Sequence, residues 1–307
     1  MLTGKFVVSG CFGAILGLLT APALAQNTQS SFGGGGGGCN SLPGWSALKG
    51  ALTGSITASS GGNGGLGFNM WGVIVDNSGI VCAVAFSGGN FTYQWLASRA
   101  IAAQKANTAN SLSLGRGVTP AGSAVGTVGL ALSTANLFSA VQPGGSLYGL
   151  QHSNPVDTEV GYGNSAGGQG NAPASASSFG TPSDPMVGQR IGGVNVFGGG
   201  LGIYKGGVRV GGLGVSGDTS CTDHMVAWRT RHALNLDQLQ GVTGPAALFA
   251  SDPTHPDNII FDITPNQFGG TGISASGFGH ATCFNNPPTT TPPPAANSTA
   301  SGLPAVQ

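Results

Sequence analysis

The chain has 307 residues, and only 7% are charged: ten Lys and Arg against ten Asp and Glu, for a net charge of zero. So few cations cannot assemble a basic patch, which argues against nucleic-acid binding and against polybasic docking to membranes. The 57 glycines far exceed an average share of about 7% and favour loops, turns and close backbone packing over long helices.

Residues Met1–Ala25 read as a secretory signal peptide. Lys5 supplies the positive start, Phe6 to Leu19 the apolar stretch, and Ala23-Leu24-Ala25 a small-x-small cleavage site, so the exported chain starts at Gln26. The apolar stretch is too short and too broken by glycine for a membrane anchor, and no membrane contact is expected after cleavage. Val8-Ser9-Gly10-Cys11 loosely resembles a lipoprotein box, but few apolar residues precede Cys11. Gln26–Gly38, ending in six glycines, reads as a flexible linker.

Cleavage leaves Cys39, Cys82, Cys221 and Cys283. An even number in an exported protein suggests two disulfides, with three pairings open. The favoured pairing is Cys39–Cys82, tying the N-terminal segment to the sheet, with Cys221–Cys283, pinning the C-terminal extension to the last helix. The absence of C-x-x-C argues against a redox motif or zinc ribbon, and the absence of C-x-x-C-H against the usual covalent haem attachment.

Ser41 to Thr53 is predicted as a helix with Ser41 as N-cap, Pro43 in its first turn and Gly54 as its stop. Met70–Val75 and Ile80–Phe86 are β-rich runs around Asp76-Asn77-Ser78-Gly79, a hairpin signal. Their near-continuous apolar character predicts burial on both faces. Thr92 to Leu112 reads as a helix whose stripe (Arg99, Ala102, Ala103, Ala106, Ala109) lets it lie close on a sheet. A short helix is expected at Ser133–Val141. Pro143–Pro185 is a long Gly/Ser/Ala/Asn/Pro insertion, either functional or ordered by a partner.

Three strands are predicted next, at Gly193–Phe197, Gly202–Tyr204 and Gly207–Val215, with Lys205-Gly206 turning between the last two. Ser220-Cys221-Thr222-Asp223 fits a loose capping box opening a helix from Cys221 to Asn235. Asn258–Ile263 reads as an extra strand, and Pro287–Gln307 as a disordered Pro/Thr-rich tail. The order predicts an α/β fold, a five-stranded antiparallel sheet with helices packed on it.

Three motifs in order resemble the GlcG/HbpS-like haem-binding family, which also occurs as the C-terminal domain of PduO-type proteins. They are Val75-Asp76-Asn77-Ser78-Gly79, Lys105-Ala106-Asn107-Thr108-Ala109, and Gly212-Leu213-Gly214-Val215-Ser216-Gly217 with Asp223. The agreement spans Met70–Asn235, about half of the chain. The resemblance implies a profilin-like domain over residues 39–286 that often forms homo-oligomers, some members of which bind haem. The insertion at about 143–185, the cysteines and the extension at about 240–286 depart from the simple family pattern.

Candidate ligand-binding residues cluster on the last helix. His224 and Met225 carry the side chains of common axial haem ligands, with His224 the candidate iron ligand and Asp223 placed to orient it. The alternative makes His224 a half-exposed helix residue and Met225 core, and one helix cannot aim both at one iron. Trp228 and Arg231 extend the His224 face with a flat aromatic and a cation suited to a porphyrin and its propionate, or form an ordinary packing face.

Lys105 either meets an anion or snorkels, and Thr108 either reaches a ligand or bonds its own backbone. Gly217, before the helix, either bends the chain or joins an anion site at the helix N-terminus. Asp252, His255 and Asp257 read as a solvated loop rather than a metal site. Ser216 misses the G-x-S-x-G pattern, and no phosphate-binding glycine motif has the right context.

The leading expectation is an exported haem- or tetrapyrrole-binding domain for binding, scavenging or sensing. The alternatives are an oligomerising scaffold without cofactor, which sparse charge allows, and an enzyme acting on haem or a small organic molecule.

Overall fold

The two apolar runs around Asp76 pair as expected and begin the sheet. The computed structural model describes residues 38–57, 63, 65–118, 129–163, 176–263, 272–282 and 303–307. The signal segment, the linker before Gly38, Cys283 and tail residues 287–302 lie outside the described residues. In chain order the main elements are α1 (Trp45–Thr57), β1 (Trp71–Asp76), β2 (Val81–Phe86), α2 (Ser98–Leu112) and α3 (Leu137–Ala140). They continue with α4 (Thr158–Tyr162), β3 (Gly200–Lys205), β4 (Val208–Ser216), α5 (Ser220–Ala233) and α6 (Pro245–Phe249).

The sheet is antiparallel, in the order β2-β1-β4-β3. Among the described residues it has four strands rather than the five expected. Residues 193–197 do not join it, because Gly192 and Gly193 take positive φ (63° and 77°) and break the extended path. Their neighbourhood also bonds elsewhere: Asn195 N donates to Thr108 Oγ1 at 2.9 Å and Gly193 N to the Pro155 carbonyl at 3.2 Å. The Asn258–Ile263 run contributes one isolated bridge, Ile263 to Ser274, and no strand.

Both faces of the sheet are covered, as the apolar strands require. On one face Val73, Val75 and Val84 pack against Ala102, Ala103 and Ala106 of α2. On the other, Ile74, Leu213 and Val215 meet Leu48 and Leu52 of α1 and Met225 and Trp228 of α5. The period-two alternation of the strands sends neighbouring residues to opposite layers. On the α2 face β4 presents Gly212 and Gly214, where a Cβ would overlap the carbonyls of Ala106 and Ala102. The alanine stripe and these two glycines together let the helix backbone lie directly on the strand.

Element ends differ from expectation where local capping decides them. α1 starts at Trp45 after a 3-10 turn at Cys39–Ser41 and runs past Gly54 to Thr57. α2 starts at Ser98, six residues later than expected, after a 3-10 turn at Phe91–Tyr93 capped by Asn90. Thr219, not Ser220, is the N-cap residue of α5, and no side chain caps it.

Cys39 and Cys82 form the expected disulfide, and Cys221 is also disulfide-bonded. The tail, expected to be disordered, ends in docked residues: Leu303 is buried, Val306 N donates to the Thr254 carbonyl at 3.0 Å, and Gln307 N to the Asp237 carbonyl at 3.0 Å. Among the described residues no helix is long and apolar enough to cross a membrane.

Candidate functional site

The helix expected to carry the ligand, α5, turns its expected face into the core. His224, Trp228 and Arg231 are fully buried, and Met225 is 5% exposed within the apolar cluster on that side of the sheet. Arg231 makes a two-toothed ion pair with Asp257 (2.7 and 2.9 Å), donates to the Gly202 carbonyl at 3.1 Å and lies over the Trp228 ring. Trp228 Nε1 donates to the Pro304 carbonyl at 2.9 Å. These contacts occupy the groups expected to stack on and pair with a porphyrin. Residues 224, 228 and 231 share one helical face, and it packs on the protein's own interior.

His224 has both ring nitrogens buried without a well-formed hydrogen bond. Burial, the largest cause, holds its pKa down to about 3. The Arg231 and His280 charges push the same way, and Asp257 and Asn258 oppose. His224 is a neutral core histidine, and Asp223 does not orient it.

Asp223 instead pairs with Lys105, Nζ to Oδ2 at 2.6 Å, with both side chains fully buried. The other carboxylate oxygen accepts from Gly217 N at 3.1 Å and Asp218 N at 2.9 Å. Lys105 Nζ also donates to the Val215 carbonyl at 3.3 Å and lies 3.8 Å from the Phe197 ring centre. Burial lowers the Lys105 pKa, and burial raises that of Asp223 to about 6 against the pull of Lys105. The Gly217 N–H that was a candidate anion donor is therefore taken by Asp223. Thr108 Oγ1 donates to its own helix at the Gln104 carbonyl, 2.8 Å away. Lys105 from the second family-like motif and Gly217 and Asp223 from the third thus interlock as a buried polar hub that ties α2, β4 and α5 together.

The Asp252, His255 and Asp257 segment does not converge on one point. His255 Nδ1 bonds Asp252 Oδ1 at 2.9 Å, while Asp257 is committed to Arg231. Cys39, Asp76 and Cys82 lie close enough to hold a metal, but the two sulfurs are joined to each other.

The open face of α5 offers a different site. A groove of about 580 Å³ runs between α1 and α5, floored by Ala47, Gly50, Ala51 and Gly54 and walled by Arg229 and His232. This lies within the range of about 300–1,000 Å³ usual for cofactor pockets. His232 is half-buried, and its Nδ1 sits 2.6 Å from the carboxylate of Asp237, which is fully buried. A carboxylate only accepts, so Nδ1 carries the proton of that bond and Nε2 is the ring nitrogen on the far side from Asp237. This is how a carboxylate prepares a histidine to ligate a metal.

Arg229 bonds the Asn63 side chain, and burial lowers its pKa. Asn235, just past the end of α5, adopts a left-handed φ of 55° and turns the chain so that Asp237 returns to His232. His232 and Asp237 are five residues apart, and only the reversal after the helix brings them into contact.

No family model matches the chain, and no curated protein does. Among solved structures it is similar to a haem complex of PduOC, with a TM-score of 0.37 and 21% identity, covering 62% of this chain and 91% of that one. It is similar to protein ORFY of Klebsiella pneumoniae, with a TM-score of 0.36 and 21% identity, over 62% of this chain and 88% of that one. A double mutant of HbpS from Streptomyces reticuli matches with a TM-score of 0.35 and 15% identity, over 73% of this chain and 99% of that one. The chain is thus weakly similar to solved structures of the GlcG/HbpS-like group, the group its sequence motifs resemble.

Proposed function

We propose that the protein binds haem or a related tetrapyrrole in the groove between α1 and α5, with His232 as the iron ligand. The observation that carries this is the His232–Asp237 pair, a half-buried imidazole held by a fully buried carboxylate in the wall of a 580 Å³ groove. The donor set fits. A neutral imidazole with its outer nitrogen unprotonated is a common haem ligand. The small side chains of Ala47, Gly50, Ala51 and Gly54 leave room in the groove for a flat ring. Arg229, at the same wall, is the cation for a propionate. Bound haem would supply an iron centre, and the chain's part is to hold, orient and shield it. A signal-like N-terminus and cysteines spent on disulfides support export, and the role proposed for the exported protein is to scavenge or sense.

The test is a haemin titration followed in the Soret region. Wild-type protein gives a saturable band. His232→Ala abolishes the ligated spectrum, Asp237→Asn weakens binding by about 10–100-fold, and folded His224→Ala binds as wild type. A non-saturating wild-type response, or loss in His224→Ala alone, overturns the reading.

Self-association is a second reading, favoured by the exposed apolar residues Tyr93, Trp95 and Leu96. Sedimentation velocity tests it, and a monomer at all concentrations would dismiss it.

A further inference from the structure

The α2 side of the sheet holds a second pocket that the haem reading does not use. It has a volume of about 210 Å³, with Trp71, Phe91, Phe179 and Ala100 among its lining residues. Leu96 and Tyr162 also line it and are 63% and 58% exposed, so the pocket opens to solvent beside them. Its size is below the range of about 300–1,000 Å³ that suits cofactors. A dry apolar cavity of about 150 Å³ takes benzene, so this one has room for a single ring with a small substituent.

The walls are aromatic and braced. Trp71 is stacked on Phe86 with ring centres 4.6 Å apart, and Phe91 meets Phe179 edge-on at 5.6 Å. One polar group of the lining is unspent: Trp71 is 1% exposed, yet its Nε1–H is buried with no acceptor. Buried donors are nearly always paired, and an orphan of this kind calls for an explanation.

Arg99, also in the lining, does not attract an anion. Its Nε and one terminal nitrogen bond Asp184, the other terminal nitrogen donates to the Gly161 carbonyl at 3.1 Å, and the guanidinium lies over Phe179. Its charge is balanced by the buried Asp184, so the pocket favours a neutral guest.

We propose that this pocket is a separate binding site for a neutral single-ring aromatic compound bearing a hydrogen-bond acceptor, of the aryl ketone or aryl aldehyde class, which accepts from Trp71 Nε1–H. The ring fills the space between Trp71, Phe91 and Phe179, and the carbonyl oxygen satisfies the indole. The site lies on the opposite face of the sheet from the groove that carries His232, so the two readings stand or fall separately.

Acetophenone is the probe, and ethylbenzene is its analogue of similar shape without the acceptor. Both are titrated into the full ¹⁵N-labelled protein and read by NMR, with the Trp71 indole N–H identified by its loss in Trp71→Phe. Acetophenone moves that resonance downfield in a saturable way. Ethylbenzene binds about tenfold more weakly and leaves the resonance without the downfield shift. Trp71→Phe, checked as folded by its amide spectrum, erases the difference between the two probes, and Ala100→Leu, which fills the pocket, removes both. His232→Ala binds acetophenone as wild type does. Equal binding of the two probes with the Trp71 N–H unmoved, or no binding of either to the folded wild type, overturns the proposal.

Discussion

Two histidines eight residues apart on one helix have opposite fates. His224 faces the core and is held neutral, while His232 faces the groove and is held by Asp237. The pKa of His224, down to about 3 from 6.5, means that the unfolded chain binds a proton there between those values and the folded protein does not. Its contribution to stability is therefore present above pH 6.5 and is lost as the pH falls toward 3, at up to about 1.4 kcal/mol per pH unit. Burial lowers the His280 pKa and acts in the same sense. Asp223, raised to about 6 from 3.8, acts oppositely, and its contribution is lost as the pH rises through about 6. Urea denaturation of wild type and His224→Gln between pH 4 and 7 separates these effects. The variant has the shallower acid slope, and parallel curves would contradict a neutral buried His224.

At the scale of elements, the contact between β4 and α2 shows why a glycine-rich strand is needed. The carbonyls of Ala102 and Ala106 occupy the space that side chains on Gly214 and Gly212 would take. Backbone cannot yield as a flexible side chain can, so Gly214→Ala must lift α2 from the sheet. A cost of about 3 kcal/mol or more is expected, at the upper end of overpacking. Gly50→Ala on the open face of α1, where an added Cβ meets nothing within 4 Å, is the control and raises the denaturation midpoint, by up to about 1 kcal/mol in stability. Similar midpoints for the two variants would show that α2 does not rest on the strand. The long insertion is tied to the same helix: Asp184 pairs with Arg99 of α2 and accepts from Gly180 N at 2.8 Å and Met186 N at 2.9 Å.

For the whole molecule, the C-terminal residues close the layer around α5. Leu303 is buried, Pro304 accepts from Trp228, and Gln307 joins Asp237 and Leu239 through backbone bonds. Deleting residues 303–307 exposes the Trp228 surface, leaves its N–H unpaired and removes Pro304 from the groove wall. A loss of about 3 kcal/mol or more is expected, with weaker haemin binding in parallel. An unchanged thermal midpoint would show that this segment does not support the core.

The hairpin, the alanine helix, the glycine-rich strand and the last helix were legible in the sequence, because periodicity and turn chemistry act within a few residues of each other. The four cysteines left three pairings open, and Cys39–Cys82, the favoured one, is the disulfide that the structure contains. Three decisions needed the tertiary structure. One was the exclusion of residues 193–197 from the sheet, where Thr108 and Pro155 compete for the backbone. Another was the use of Lys105, Gly217 and Asp223 on one another. The last was which face of α5 turns inward. His224, Trp228 and Arg231 make an amphipathic face that a porphyrin or a protein core would suit equally. What chose the core was Asp257, 26 residues beyond Arg231, arriving to neutralise its charge. A buried cation needs a partner, and only the folded chain shows where that partner comes from.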